Sequence, residues 1–276
     1  MKHFINMCFP EFKRKAVTLS YDDGIIHDRT LIEIMSRYGL KGTFNLNSGW
    51  ILGGHKNVVT PDEVKSLYID TGNEIAVHGV EHKSLAEIDS AQGAYDVLQD
   101  RVNLEKMVGA VVKGMAYANG SFDNRVVEVL KTCGIEYART TFSTQDFSIP
   151  TDWLRLNPTC HHKDARLMEH AERLVNCANE GGHFELKPKL LYVWGHSYEF
   201  NNNNNWEIIE NFAKTVGNKS DIYYATNGEI YSYVKAFESL RFSADNTFVH
   251  NPSAIDVYLY INKKEIIAKA GKTVEI

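Results

Sequence analysis

Short apolar runs alternate with amphipathic stretches along most of the chain. Apolar runs of four to eight residues are typical of buried strands, and apolar positions three and four apart predict helices. The strand-like runs fall at 16–21, 42–46, 74–77, 113–117, 135–139, 154–157, 190–195 and 222–225. The helix-like stretches cover 28–38, 90–107, 123–132, 164–178, 206–215 and 227–239, and a further one opens at 60. This alternation predicts a parallel α/β fold, either a barrel or a doubly wound sheet.

Local signals mark where several of these helices begin and end. Asp28 is a candidate N-cap of the first helix, and Gly39 is its predicted C-terminal stop. Residues 60–63 (TPDE) have the form of a capping box with proline at the first helical position. The five asparagines at 201–205 are expected to form a loop, because asparagine favours turns and caps.

The pattern changes after residue 240. Apolar side chains alternate with Asp and Tyr over 255–261, a turn is predicted at 262–264, and apolar residues return at 266–267. This is the pattern of a β-hairpin. We therefore predict two units: a (β/α) barrel domain over 1–240 and a β-hairpin appendage over 241–276, packed on the main domain.

Composition and charge narrow the classes of partner. With 276 residues, 43% of them hydrophobic, the chain can bury a substantial core as one large domain or two small ones. The net charge of -5 gives no basic surface for nucleic acid or for anionic membranes, so neither partner is expected. The oligomeric state stays open. The four cysteines lack a CxxC pair and indicate neither a disulfide framework nor a thiolate zinc site.

Hydropathy gives an expectation for location. No apolar run reaches the roughly 18 residues of a membrane span, and the first ten residues lack the apolar region of a signal peptide. The chain as written is therefore expected in the cytoplasm. It would be extracytoplasmic if it is the processed form of a longer precursor.

Acidic and imidazole side chains follow two of the predicted strands. Asp22 and Asp23 come after the first run, and His78 and His82 come after the third. Active sites of parallel α/β folds are built at these strand ends. A metal that does chemistry needs about three protein ligands and an open position, and one Asp with two His meets that number. Taken alone, each pair has a simpler explanation, because paired aspartates often cap helices and such histidines are often surface or core residues.

These motifs and a later one resemble the polysaccharide deacetylases of the NodB-homology type, also called carbohydrate esterase family 4. The family's Thr-Phe-Asp-Asp-Gly is similar to residues 20–24 (SYDDG), and its His-Ser/Thr-x-x-His to residues 78–82 (HGVEH). Its late Leu-x-x-His motif resembles residues 191–196 (LYVWGH). The resemblance covers roughly 17–224. It implies a distorted (β/α) barrel with a metal at the C-terminal mouth.

The resemblance also implies roles for five residues. Asp23, His78 and His82 would hold the metal, Asp22 would be the general base, and His196 the general acid. Adjacent carboxylates at an extended strand end point in different directions, so one can bind the ion while the other faces the water that the metal activates. Zinc is the expected ion, with cobalt, nickel or iron as alternatives. The simpler alternatives are a buried structural histidine for His196 and a turn residue for Asp22.

Two motifs depart from the family. Where many members show Arg-x-Pro-Tyr-Gly, residues 116–120 read AYANG, so the arginine expected to orient the base is absent. Asn119 takes the tyrosine position, where its backbone N–H could bind the oxyanion. The pair Asp152-Trp153 resembles the family's Asp-Trp, in which Trp153 would wall the acyl pocket, although a plain core role is as reasonable. Arg155 is a candidate for the missing arginine.

A further histidine pair suggests a second metal site. His161 and His162 follow Cys160 just past the sixth run. Adjacent histidines cannot easily face one ion together, so we do not expect them to bind one.

Three functions are consistent with this pattern. The first is a metal-dependent hydrolase that removes an acetyl group from an N- or O-acetylated carbohydrate, with an oligo- or polysaccharide as substrate. The second is a hydrolase of small amides or cyclic imides on the same barrel. The third is a catalytically silent carbohydrate-binding homologue. The missing arginine favours the third, whereas the presence of both a base and an acid opposes it.

Overall fold

The apolar runs form most of one parallel sheet. The structure is a computed structural model that describes residues 5–177, 187–262 and 264–276. The strands are β1 (Ile5–Cys8), β2 (Lys15–Asp22), β3 (Gly42–Leu46), β4 (Glu74–Val77), β5 (Gly114–Ala116), β6 (Tyr137–Arg139), β7 (Cys160–His161), β8 (Lys189–Gly195), β9 (Ile222–Tyr224), β10 (Arg241–Phe242), β11 (Phe248–His250), β12 (Val257–Ile261), β13 (Lys264–Ala268) and β14 (Thr273–Glu275).

Helices connect most strands of the sheet. They are α1 (Asp28–Arg37), α2 (Ser48–Leu52), α3 (Pro61–Val64), α4 (Ser90–Val108), α5 (Asn124–Thr132), α6 (Leu167–Asn176), α7 (Ser197–Asn202), α8 (Glu207–Val216) and α9 (Asn227–Glu238). The predicted capping box at Thr60 and Glu63 is present, and α3 continues as one wider turn over Lys65–Ile69. Gly39, with φ of +65°, ends α1 as predicted.

Strand β2 lies at the centre of the main sheet, and all eight of its residues are buried. One edge of β2 pairs with β8, and the other pairs with β9 at residues 15–17 and with β3 at residues 19–22. In the described part of the chain, the strand order is β6-β5-β4-β3-β2-β8-β7. Burial on both faces is typical of parallel strands. The sheet curls into a half-barrel with helices, which confirms the predicted distorted (β/α) barrel.

The alternation of side chains along β2 separates two environments. Val17, Leu19 and Tyr21 belong to the large apolar cluster that includes residues of the surrounding helices. The intervening residues face the other way, because successive side chains of a strand point to opposite faces. On that inner face, the Ser20 hydroxyl accepts a hydrogen bond of 2.9 Å from the side chain of Asn45. Asp22 is the next inner residue, at the C-terminal end of the strand.

Two predicted elements differ from the structure, and a third reaches beyond the described residues. Residues 154–157 are no strand: a 3-10 turn covers Trp153–Arg155, and only Leu156 makes a bridge, to Arg139. The strand begins instead at Cys160, two residues after Pro158, which has no N–H to donate. Helix α7 extends to Asn202, so part of the asparagine run is helical rather than loop. The predicted helix over 164–178 is α6, and its predicted end at Ala178 lies outside the described residues.

The C-terminal β segment is completed by the first strand of the chain. β12 and β13 form the predicted antiparallel hairpin, although Lys263 of the predicted turn lies outside the described residues. β1 adds to the other edge of β12, with Ile5 opposite Ile261. The hydroxyl of Tyr233, on α9, donates to the carbonyl of Cys8 at 2.6 Å and accepts from the N–H of Tyr258 at 2.9 Å. This contact fastens the small sheet to the barrel.

None of the helices in the described residues is long and apolar enough to cross a membrane.

Candidate metal centre and active site

The C-terminal ends of β2 and β4 bring Asp23, His78 and His82 together. Asp23 Oδ1 lies 3.6 Å from Nε2 of His78 and 3.5 Å from Nε2 of His82. Asp23 Oδ1 is buried and has no hydrogen-bond partner among the described residues. An orphaned carboxylate oxygen facing two imidazole nitrogens fits a divalent cation, because burial without a partner would otherwise be unfavourable.

The hydrogen bond on the far side of the His78 ring determines which nitrogen can bind a metal. His78 Nδ1 lies 2.9 Å from the carbonyl oxygen of Ala116. A carbonyl can only accept, so Nδ1 carries the hydrogen and Nε2 offers its lone pair toward Asp23. Burial also lowers the pKa of His78, which favours the neutral ring that a metal requires.

Asp100, on α4, holds the backbone around His78. Its Oδ2 accepts the N–H groups of His78 and Gly79, each at 2.9 Å, and its Oδ1 accepts the N–H of Ser48 at 2.7 Å. One buried carboxylate therefore joins two backbone segments, at Ser48 and at residues 78–79, to α4 beneath the proposed ligand. The sequence offered no signal for Asp100 beyond its place within a predicted helix.

Two of the three proposed ligands lie in unusual backbone conformations. Asp23 has φ of +82° and His82 has φ of +56°. A non-glycine residue in this region costs on the order of 1–3 kcal/mol, and such strain is concentrated at functional sites. The His82 ring is stacked on Trp50, with ring centroids 5.4 Å apart. The surrounding structure thus holds both side chains where an extended backbone would not place them.

Asp22 lies beside the proposed metal ligands and is fixed at both oxygens. Oδ1 accepts a hydrogen bond of 2.8 Å from Asn45, and Oδ2 accepts one from the guanidinium of Arg139. Oδ2 also lies 3.8 Å from Nε2 of His78 and 3.8 Å from Nε2 of His196. Burial, the largest single influence, disfavours the charged carboxylate, but the charge and hydrogen bond of Arg139 together with His78 and His196 outweigh it and lower the pKa of Asp22 to about 2. Asp22 is therefore ionised and oriented.

The arginine next to Asp22 comes from β6. Arg139 is fully buried, and its guanidinium carbon lies 4.3 Å from the centre of the Trp194 ring. The alternative that Arg155 replaces the missing arginine is wrong, because Arg155 pairs with Asp152 at 2.7 Å and with Asn124 at 2.6 Å near the surface. A charged residue at the end of a buried run is the signal that could have identified Arg139.

His196 follows β8 on the other side of Asp22. Its Nε2 is the nitrogen that lies toward Asp22, and its Nδ1 lies 3.7 Å from Oε2 of Glu199. The ring packs edge-on against Trp194, with centroids 5.8 Å apart. A carboxylate with a metal-ligand cluster on one side and an imidazole on the other is an arrangement suited to acid–base hydrolysis.

Comparison with known families agrees with this geometry. The family model described as polysaccharide deacetylase matches residues 10–138, the stretch that contains Asp22, Asp23, His78 and His82. Over this stretch, which is just under half of its length, the chain is similar to the polysaccharide deacetylases. No curated protein matches it.

Solved structures show the same deacetylase fold at low sequence identity. A protein from Mycobacterium smegmatis assigned as a polysaccharide deacetylase is 16% identical over 84% of this chain and 94% of that chain, with a TM-score of 0.62. A CE4 family pseudoenzyme from Bacillus anthracis is 14% identical over 82% and 68%, with a TM-score of 0.51. A family 4 carbohydrate esterase from Streptomyces lividans, in complex with acetate, is 14% identical over 76% and 92%, with a TM-score of 0.50.

Two predicted site residues remain, Asn119 and Trp153. Asn119 lies in the loop after β5, has φ of +56°, and donates from its side chain to Ser84 at 3.1 Å. Its role at the oxyanion stays a prediction. Trp153 packs edge-on against Tyr231 at 5.2 Å within a buried aromatic cluster. Its role at the acyl pocket also stays a prediction; the indole beside Arg139 and His196 is Trp194.

Asp28 is a further correction. It is the first residue of α1 but makes no capping contact. Its buried carboxylate accepts hydrogen bonds from Tyr68 at 2.7 Å and from Ser197 at 2.6 Å. Asp28 therefore links α1 to the residue that follows His196, rather than capping its own helix.

Proposed function

We propose that this protein is a metal-dependent hydrolase that removes an acetyl group from an N- or O-acetylated carbohydrate. The observation that carries the proposal is the placement of Asp22. Its ionised carboxylate has Arg139 on one side, and its Oδ2 lies 3.8 Å from the nitrogens of both His78 and His196. The match of residues 10–138 to the polysaccharide deacetylase family model supports the acetylated substrate.

Asp23, His78 and His82 would hold the ion. One oxygen and two nitrogen donors with room for a further ligand suit zinc, and they would also accept cobalt, nickel or iron. A bound divalent ion would lower the pKa of water toward about 7 and polarise the acyl carbonyl. The His78 tautomer and the orphaned Asp23 oxygen are the features of this chain that fit the ion.

Asp22 would act as the general base. Arg139 and Asn45 fix its two oxygens, so Oδ2 stays directed into the space between His78 and His196. An attacking water in that space would transfer its proton to Asp22. Because the pKa of Asp22 is low, the carboxylate is in its basic form throughout the neutral range.

His196 would act as the general acid. Its Nε2 faces the same space from the end of β8, opposite the proposed metal ligands. A proton delivered from Nε2 to the leaving nitrogen or oxygen would complete the cleavage. Positioned acid or base groups typically contribute about 10²–10⁴ in rate.

The test is acetate release from acetylated chito-oligosaccharides and acetylated xylan. Metal-loaded protein is compared with chelated protein and with Asp22→Asn, which keeps the size of the side chain but cannot take the proton. Asp245→Asn, on an exposed turn of the appendage, is the matched control. We expect loss of release on chelation and a fall of at least about 10² in rate for Asp22→Asn only. Metal binding without release from any acetylated sugar would instead favour the small-amide or silent-binder alternatives.

The silent-binder alternative has less support than the sequence suggested. Its main argument was an absent arginine, and Arg139 occupies the place beside the base. The resemblance to a pseudoenzyme fold keeps the alternative in the test.

A further inference from the structure

A second cluster of titratable side chains lies behind His196, and the proposed hydrolysis does not use it. At its centre is Glu199 on α7, with only 13% of its side chain exposed. Its Oε2 lies 2.9 Å from Nε2 of His162, 3.2 Å from Nε2 of His161 and 3.7 Å from Nδ1 of His196. Its Oε1 lies 2.6 Å from the ammonium of Lys163. Four nitrogen groups thus surround a single carboxylate.

The backbone of two strand ends builds this cluster. The N–H of His162, just after β7, donates to the carbonyl of Trp194 at 2.8 Å. Gly195 lies against the His162 ring, where a Cβ would collide with Nδ1. Phe200, on α7, stacks against the His162 ring, with the two ring centroids 4.1 Å apart. Gly195, just before His196, and Phe200, just after Glu199, therefore both pack against His162.

The distances alone would also permit a second metal ion. The ligand atoms of His161, His196 and Glu199 lie within 4.8 Å of one another. The tautomer of His161 argues against an ion. The backbone N–H of Lys163 donates to His161 Nδ1 at 3.1 Å, so Nδ1 has the lone pair and Nε2 carries the hydrogen. His161 Nε2, which lies 3.2 Å from Glu199 Oε2, therefore carries a hydrogen and offers no lone pair, the reverse of the arrangement at His78.

The charge balance points in the same direction. The Lys163 ammonium already lies against Glu199, and a divalent cation bound there would be repelled by it. The cluster is thus arranged as hydrogen donors around an anion rather than as ligands around a cation.

We propose that Glu199 is a positioning residue for His196. This inference rests on the acid role proposed above. Neither Nδ1 of His196 nor Oε2 of Glu199 has a hydrogen-bond partner among the described residues, and the two atoms face each other. Glu199 would accept the hydrogen on Nδ1, which would fix Nε2 toward Asp22 and the leaving group. His161, His162 and Lys163 hold the carboxylate in place. The 3.7 Å separation is an ion-pair distance, and catalytic hydrogen bonds of this kind commonly shorten when substrate binds.

Several charged or titratable groups face His196. They are Asp22 and Asp23 at the end of β2, Tyr198 and Glu199 on α7, and His161 at the end of β7. Burial lowers the pKa of His196, but the contact with Glu199 and the charges of the two aspartates outweigh it and raise the pKa above its ordinary value. Glu199 is the one of these carboxylates that faces Nδ1.

The test compares Glu199→Gln with wild-type protein in three measurements. For acetate release, we expect kcat to fall about 10- to 100-fold with little change in KM, because ground-state binding does not involve Glu199. For the zinc-loaded protein, we expect the pKa of the His196 ring, followed by NMR of labelled histidine, to fall. We expect one equivalent of zinc in both proteins. Glu199→Asp, which keeps the charge but shortens the side chain, should lie between the two.

The matched control is Glu210→Gln on α8, where the carboxylate pairs with Arg37 and Tyr38 away from the site. It should leave all three measurements unchanged. Two zinc equivalents in the wild type that fall to one in Glu199→Gln would overturn the inference in favour of a second metal site. An unchanged His196 pKa in both Glu199 variants would overturn it in favour of a purely structural role. Neither readout needs turnover, so a protein without deacetylase activity would still test this inference separately from the proposed function.

Discussion

The two sides of the site hold their histidines in opposite ways. On the metal side, the far nitrogen of His78 faces a carbonyl oxygen, which leaves a lone pair for an ion. On the acid side, the far nitrogen of His161 faces a backbone N–H, which leaves a hydrogen for Glu199. Both sides group imidazoles with a carboxylate at similar distances. The comparison shows that the partner behind the ring, more than the spacing in front of it, separates a metal ligand from a hydrogen donor.

Arg139 lies between the two sides, and its loss should have the largest effect. Arg139→Met would leave the buried Asp22 charge without its partner. We expect a loss of about 3–5 kcal/mol in the free energy of unfolding, measured with urea, and a marked loss of acetate release. Arg155→Met is the matched control, because its pair with Asp152 is partly exposed and worth about 0–1 kcal/mol. Equal losses in the two variants would contradict the assignment of Arg139.

Asp28, whose carboxylate binds Ser197 next to His196, should make the free energy of unfolding depend on pH. Burial raises the pKa of Asp28 to about 7, so between about pH 4 and 7 the folded protein binds a proton that the unfolded chain has released. The contribution of Asp28 to the free energy of unfolding is full below about pH 4 and is lost as the pH rises to about 7. We expect a decline on the order of 2–4 kcal/mol across that window, measured by urea unfolding.

The Asp28→Asn variant should remove the part of that slope that Asp28 contributes, while Asp100, whose pKa is also raised to about 7 by burial, keeps its own part. Asp62→Asn, on the exposed first turn of α3, should keep it. An unchanged slope in Asp28→Asn would mean that Asp28 is ionised in the folded protein across the whole range.

On the metal side, Asp100 holds the backbone of His78. Its substitution should reduce stability less than the loss of Arg139 does, and should also weaken zinc binding. Asp100→Asn places an amide N–H₂ against backbone N–H groups, so at least one of the three hydrogen bonds is lost. We expect a loss of about 1–3 kcal/mol in stability and zinc binding weaker by about 10- to 100-fold, measured by titration. Asp89→Asn is the control in the same helix, because asparagine caps as well as aspartate. Undiminished zinc affinity in Asp100→Asn would show that the His78 backbone does not need this support.

The fold and the proposed metal ligands could be predicted because their signals are local. Asp22 and Asp23 end a long buried run, and the histidine pair follows another, so parallel strand ends alone bring them to one edge. Their roles stay proposals. Arg139 gave only one signal, a charge at the end of a buried run, and Asp100 gave none. Their partners, Asp22 and the backbone of His78, lie elsewhere along the chain and meet them only in the folded protein.

Trp153 is a residue whose place a short motif could not decide. A dipeptide shared with the family suggests the acyl pocket, and the structure has Trp153 in a buried apolar cluster, packed against Tyr231. A second indole, that of Trp194, lies beside Arg139. Which indole packs where depends on tertiary contacts, which a dipeptide does not encode.

The pairing of β1 with β12 has a consequence for how the protein is made. Ile5–Cys8 precedes the whole barrel along the chain, whereas its neighbour Val257–Ile261 follows it. During synthesis, β1 therefore waits with an open hydrogen-bonding edge while the barrel residues are made, and closing so long a loop is entropically unfavourable. A nascent chain in that state is exposed to mispairing with other chains until β12 has been synthesised.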